Sequence, residues 1–220
     1  MTSDVSSLAA TAEYESLDPD VRLMLEVRDG NAAAFEELVL RYQNRLLTVI
    51  THMLGDRDLA EDVTQEVFLR VYRARERYSP TAKFSTWVYT IANNAALNAK
   101  RGRARRPEVR IEKSDTTAVA NPLEQMVQAA SGAMPARNID KAEAAEMVRL
   151  AIDSLNERQR LALLLCKFEG MSYQDIAVTM NLSTKAVKSL LSRARTNLKD
   201  ILAPYIEQGT IPKEVSDQTS

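Results

Sequence analysis

Val187, Leu190, Leu191, Ala194 and Leu198 recur at i, i+3, i+4, i+7 and i+11, which places them on one face of an α-helix. The same helical period returns along most of the chain, and no alternating run of useful strand length competes with it. Glycine is scarce, with six in 220 residues. The spacing therefore predicts an all-α fold. Periodicity runs from residue 21 to about 104, broken near Asp29-Gly30-Asn31, Gly55-Asp56 and Ser79-Pro80, which divides it into four or five helices. It is lost between Pro107 and about Asp140, where Pro107, Pro122, Gly132 and Pro135 sit among small polar residues. So long a structureless stretch is unusual inside a compact domain. The expected organisation is a disordered acidic N-terminus (1–20), a first small helical domain (21–106), a flexible linker (107–140), a second small helical domain (141–206) and a disordered tail (207–220).

Several function classes are excluded at this level. The apolar runs are short, as in Leu161 to Cys166, far below the roughly 20 residues of a membrane span. The N-terminal stretch is acidic and lacks the basic flank and apolar core of a signal peptide, so a cytoplasmic protein without membrane insertion is expected. Cys166 is the only cysteine, lies in a leucine-rich run and reads as a buried, inert thiol. His52 is the only histidine and has no cysteine nearby, so no zinc site is expected. With no Gly-rich phosphate loop, Cys–His pair or metal-spaced cluster, the sequence predicts no catalytic residue, no metal and no cofactor: the chain is not read as an enzyme.

A formal net charge of -1 conceals strong local asymmetry. Residues 1–40 hold nine acids and two bases, whereas Lys100 to Arg110 holds six bases and one acid. Ser183 to Lys199 holds five bases and no acid. Two separated basic blocks point to two contacts with a polyanion; two solvated helix faces are the plainer alternative. The second block sits in a recognisable frame. Asn156 has Gln159 three residues on, Ser172 has Asp175 three residues on, and Ser183 opens the last periodic run, which are helix-start signals. A short helix from Ser172 to about Met180, a turn at Asn181-Leu182-Ser183 and a longer basic helix follow the helix-turn-helix plan. In that plan the second helix enters the DNA major groove, and an acid on its outer face would repel phosphate. An exposed basic helix of a four-helix bundle is the competing reading.

Two segments, "DRDLAEDVTQEVFLRVYRARERYSPTAKFSTWVYTIANNAALNAKRGRARR" and "LNERQRLALLLCKFEGMSYQDIAVTMNLSTKAVKSLLSRARTNLK", resemble the extracytoplasmic-function (ECF) class of bacterial sigma factors, in the sigma-70 family. The resemblance covers roughly residues 21–104 and 141–204, and it implies a region 2 domain followed by a region 4 helix-turn-helix domain. It further implies a protein that binds core RNA polymerase, through its β′ and β subunits, and directs promoter-specific initiation at −10 and −35 elements of promoter DNA. An anti-sigma factor is a further partner it implies.

By this resemblance "AEDVTQEVFLRVYRA" docks on polymerase, with Asp62, Gln65, Glu66, Leu69 and Arg73 as contacts. Leu59, Val63, Val67 and Val71 repeat every fourth residue and should face the core. The loop Tyr78 to Ser85 corresponds to the family's base-capturing loop, although Pro80 and the absence of glycine depart from many members. For the −10 element the candidates are Ser79, Lys83, Phe84, Ser85, Trp87, Tyr89, Asn93, Asn94, Asn98, Lys100 and Arg101, with Arg103, Arg105 and Arg106 as added phosphate contacts. Opened DNA presents unstacked bases that need aromatic surfaces and amides. Phe84, Trp87, Val88, Ile91 and Ala95 share one helical face, and Tyr89, Asn93, Leu97 and Lys100 another. Trp87 reads as core more readily than as ligand. The −35 candidates are Thr184, Lys185, Lys188, Ser189, Ser192 and Arg193, with Arg195 and Lys199 mainly on phosphates. A helix-turn-helix regulator that is not a polymerase subunit is the alternative function. It would need neither the docking helix nor the strand-melting loop.

Overall fold

The computed structural model describes residues 18–105 and 138–207. The expectations for the acidic N-terminus before Asp18, for the linker and Arg106, and for the tail beyond Glu207 lie outside the described residues. Eight α-helices are present among those described: α1 (Pro19–Arg28), α2 (Ala32–Leu54), α3 (Arg57–Ala74), α4 (Phe84–Arg105), α5 (Asn138–Ser154), α6 (Glu157–Lys167), α7 (Tyr173–Met180) and α8 (Thr184–Glu207). A 3₁₀ turn, Arg75–Arg77, follows α3.

Helix boundaries are written in side-chain caps. Asp18 accepts from Asp20 N and Val21 N, and Pro19 supplies a preset first turn. Asn31 accepts from Ala33 N and Ala34 N, Asp56 from Leu59 N, Asn156 from Gln159 N, Ser172 from Asp175 N and Ser183 from Ala186 N. Each satisfies an amide the helix itself leaves unpaired. Gly55 ends α2 with φ +66°, a left-handed conformation that glycine adopts without steric cost. Asn181 does the same after α7 with φ 52°, which turns the chain from α7 into α8.

In the first domain α2 is the central element and packs against α1, α3 and α4. Leu38, Tyr42, Leu46, Val49 and Ile50 line its buried face. Val63, Val67 and Val71 of α3 are buried as the four-residue repeat predicts, while Leu59 is half-buried. The Tyr42 hydroxyl donates to Asp20 Oδ2 at 2.5 Å, and its ring meets Phe84 at 5.1 Å. In the second domain α8 packs on α5, α6 and α7, with Val187, Leu191 and Ala194 buried.

The two domains also pack on each other, α2 against α6 and α4 against α7. Buried residues of both belong to one continuous hydrophobic cluster. Polar bridges line the junction. Arg45 Nη2 donates to Glu169 Oε2 at 2.5 Å, His52 Nδ1 lies 2.8 Å from Asp153 Oδ1, and Thr86 Oγ1 donates to Asp175 Oδ1 at 2.9 Å. Arg160 donates to the carbonyl of His52 at 2.7 Å and to those of Ile152, Asp153 and Leu155. Cys166 is half-buried beside this cluster, less enclosed than the sequence suggests, because it falls at the outer edge of the α6 apolar face.

Candidate polymerase and DNA surfaces

The outer face of α3 is turned away from the core. Asp62, Gln65, Leu69 and Arg73 are exposed, and Glu66 is half-exposed with Arg70 Nε donating to it at 2.8 Å. That hydrogen bond, with the charges of Arg70 and Arg73, holds the Glu66 carboxyl below its ordinary range. Leu69 is 49% exposed and Tyr72 is 43% exposed. Tyr72 escaped the sequence reading. Its ring lies 5.0 Å from Phe35 and carries the Arg75 guanidinium at 4.1 Å, so an amphipathic aromatic is braced beside Leu69 rather than free to collapse. Its position three residues after Leu69, on the same helical face, was the available signal.

The −10 candidates divide. Ser79, Lys83, Asn94, Asn98, Lys100 and Arg101 are exposed, as is Arg103, and Ser85 and Trp87 are half-buried. The Trp87 ring lies 4.9 Å from Tyr78 and 5.9 Å from Phe84. Phe84, Tyr89 and Asn93 are buried, at 0%, 1% and 8% exposure, so these three −10 candidates do not present a free surface to DNA in this structure. The reason is two-sided packing. One face of α4 meets α2 and α3, and α7 covers another. Asn93 Nδ2 donates to the Thr179 carbonyl at 3.1 Å. Burial, with the adjacent Glu169 carboxylate, pushes the Tyr89 hydroxyl well above its ordinary range. Tyr78, at the start of the loop, has a buried hydroxyl without a hydrogen-bond partner, and burial pushes its pKa up to about 12.

On α8, Lys185, Lys188, Ser189, Ser192, Arg193 and Lys199 are exposed and Thr184 is half-buried. They form one basic outer surface opposite the buried Val187–Leu191–Ala194 face. Arg195 departs from its expected place. It is half-buried, its Nη2 donates to the Tyr173 hydroxyl at 3.3 Å, and its Nε is buried without a partner. It ties α8 to the start of α7 rather than extending the basic surface. No group of His, Cys, Asp or Glu among the described residues is placed to hold a metal ion.

Comparison with known proteins gives this arrangement its family. Residues 38–106 match sigma-70 region 2, and residues 145–198 match sigma-70 region 4. The chain is similar to RNA polymerase sigma-H factor of Pseudomonas aeruginosa, 35% identical over 194 residues, covering 87% of this chain and 97% of that one. It is also similar to ECF RNA polymerase sigma-E factor of Escherichia coli K12, 32% identical over 190 residues, covering 86% and 97%. Two solved structures share the fold at 22% identity and a TM-score of 0.58. One is CnrH in complex with the cytosolic domain of CnrY, covering 85% of this chain and 99% of that one. The other is the sigma factor RpoE with the anti-sigma factor NepR from Bartonella quintana, covering 77% and 96%. The helix-turn-helix with its basic outer surface, the region 2 and region 4 matches in order, and relatives aligned over nearly their whole length together mean that the chain belongs to the ECF class of the sigma-70 family, the RNA polymerase sigma factors of transcription initiation.

Proposed function

We propose that the α3 stripe of Asp62, Gln65, Glu66, Leu69, Tyr72 and Arg73 docks on core RNA polymerase, that the loop before α4 and the exposed donors of α4 take the opened −10 element, and that the outer surface of α8 reads the −35 element. Residues 21–106 and 141–206 are then the two working domains. The protein performs no bond chemistry of its own. It works in the cytoplasm beside bacterial RNA polymerase, and no described helix is long and apolar enough to cross a membrane. The Bartonella quintana relative was solved with an anti-sigma factor, and a partner of that class is carried over to this chain.

The observation that carries this reading is the unused α3 stripe. A helix-turn-helix regulator acting alone needs α8 but has no use for Leu69 and Tyr72 held exposed 43–49% on a different helix. Exposed aromatic and leucine groups ringed by polar groups are the composition of a protein-binding centre. Titration of core polymerase against the protein and its Leu69→Asp/Tyr72→Ala variant tests it. Binding by the parent and its loss in the variant support the reading; equal binding by both removes the α3 stripe from it.

A further inference from the structure

The loop before α4 is exposed from Ser79 to Lys83, whereas the residues at its two ends, Tyr78 and Phe84, are buried. Within it Thr81 N donates to the Ser79 carbonyl at 2.9 Å, and Lys83 Nζ lies 4.0 Å from Asp175 Oδ2. Its place on the domain is set by what the two end rings pack on. The half-buried Trp87 ring joins those ends, 4.9 Å from Tyr78 and 5.9 Å from Phe84.

Both ends trace back to α1. The Phe84 ring meets Tyr42 of α2 at 5.1 Å and 72°, an edge-to-face contact. Tyr42 is completely enclosed, and its hydroxyl donates to Asp20 Oδ2 at 2.5 Å. Burial, and then that hydrogen bond, pushes the hydroxyl above its ordinary range, so it stays a donor. A hydrogen bond to a carboxylate is one of the stronger and more directional kinds. The other oxygen, Asp20 Oδ1, accepts from Arg41 Nη1 at 2.6 Å, so one carboxylate of α1 holds two successive side chains of α2. At the other end α1 packs on the 3₁₀ turn that runs into Tyr78, and also on α4. The Asp18 carboxylate adds to the effect of burial in pushing the Tyr78 hydroxyl up. Val21, Met24, Leu25 and Val27 anchor α1 in the core. Yet α1 precedes residue 38, where the match to sigma-70 region 2 begins.

We propose that α1 is a brace for the −10 loop and that Asp20 and Tyr42 are positioning residues for −10 selection. Asp20 fixes the Tyr42 hydroxyl, the Tyr42 ring fixes Phe84 at the end of the loop, and Phe84 with Trp87 and Tyr78 carries that register to its beginning. Neither Asp20 nor Tyr42 touches DNA. Their effect is on where the exposed residues between the two end rings are held. The consequence for DNA rests on the −10 reading of the loop given above; the brace itself is independent of that reading.

The test uses the full chain. Trp87 is the only tryptophan, so its fluorescence reports the loop without DNA or polymerase. Asp20→Ala and Tyr42→Phe should shift Trp87 emission to the red and raise its quenching by acrylamide; Tyr42→Phe keeps the ring and removes only the hydroxyl. Asp20→Asn keeps an acceptor for Tyr42 and gives up only the surface ion pair with Arg41, so it should stay within about twofold of the parent in every readout. Holoenzyme assembled from core RNA polymerase and each variant then selects from two libraries of promoter fragments, one randomised at −10 and one at −35. Asp20→Ala and Tyr42→Phe should lose enrichment of the preferred −10 sequence by about fivefold, while core affinity through α3 and −35 enrichment through α8 keep their parental values. Core affinity is the control within the same domain: a merely structural role would lower it together with −10 enrichment, and that result overturns the proposal. Unchanged Trp87 quenching in both variants overturns it, as does altered quenching with unchanged −10 enrichment. A parent that enriches no −10 sequence overturns the consequence for DNA together with the −10 reading, whereas the Trp87 shift, with its retention in Asp20→Asn at the parental value, still establishes the brace.

Discussion

His52 and Asp153, 101 positions apart in sequence, meet across the junction of the two domains with Nδ1 2.8 Å from Oδ1. The only histidine of the chain is therefore a junction residue. Burial pushes the Asp153 carboxyl up, but the hydrogen bond and charge of His52, with Arg160 and Arg149, outweigh it and hold the group below its ordinary range. Asp175 on α7 is also held low against burial, through Ser172, Thr86 and Lys83. The part of each depression that comes from across the junction, His52 for Asp153 and Thr86 with Lys83 for Asp175, stabilises the docked form above the ordinary carboxylate value of about 4, and that contribution disappears as pH falls through the docked value. Domain docking should thus weaken on acidification below about pH 4, read as interdomain distance. Asp153→Asn should shrink that acid limb, and Asp153→Asn/Asp175→Asn should shrink it further.

Phe84 and Trp87 sit one helical turn apart and should respond differently to truncation. Phe84 is completely buried, and Phe84→Ala should cost about 3–5 kcal/mol of stability. Trp87 is half-buried against Tyr78 and Phe84. Trp87→Leu should cost less in denaturant unfolding while reducing affinity for single-stranded −10 DNA. Equal losses of stability with unchanged DNA affinity would make both rings purely structural.

On α8 the salt dependence should sort the cations. Lys199→Ala should weaken binding to all −35 sequences alike and reduce the salt slope by about one. Lys188→Ala should change which sequences are preferred, at a cost of about 1–3 kcal/mol for the favoured one. Arg195→Ala should leave the salt slope unchanged and lower thermal stability, by about 1 kcal/mol for the lost bond to Tyr173. A selection from randomised −35 sites at two salt concentrations, with melting curves, separates the three.

The α3 stripe offers a prediction at the level of single groups. Glu66→Lys with Gln65→Ala should reduce affinity for core polymerase, through lost contacts and reversed charge, while thermal unfolding stays within about 0.5 kcal/mol of the parent. Loss of folding in proportion to loss of binding would contradict a surface role.

Local chemistry explains why the helices and caps could be read in the sequence. Asn31, Asp56, Asn156, Ser172 and Ser183 cap in the structure where their spacing announces a helix start, because a cap is a bond between neighbours in the chain. Val187, Leu191 and Ala194 turn inward because burial follows the helical period. The junction between domains was not legible. Arg45–Glu169 spans 124 positions and Asn93–Thr179 spans 86, and no periodicity records such pairs. Tyr89 and Asn93 share a helical face with Leu97 and Lys100, but amphipathicity tells how many faces are apolar and not what covers a polar one. Arg195 reads as a phosphate contact for the same reason: the sequence shows its charge and not its contact with Tyr173.

Reconstituted transcription tests the central claim most directly. Core RNA polymerase, this protein and fragmented genomic DNA should yield discrete start sites that share one −35 and one −10 element, and Lys188→Ala should shift the −35 preference among them. Binding of the protein to DNA without any protein-dependent start site would contradict the account and leave a helix-turn-helix regulator in its place.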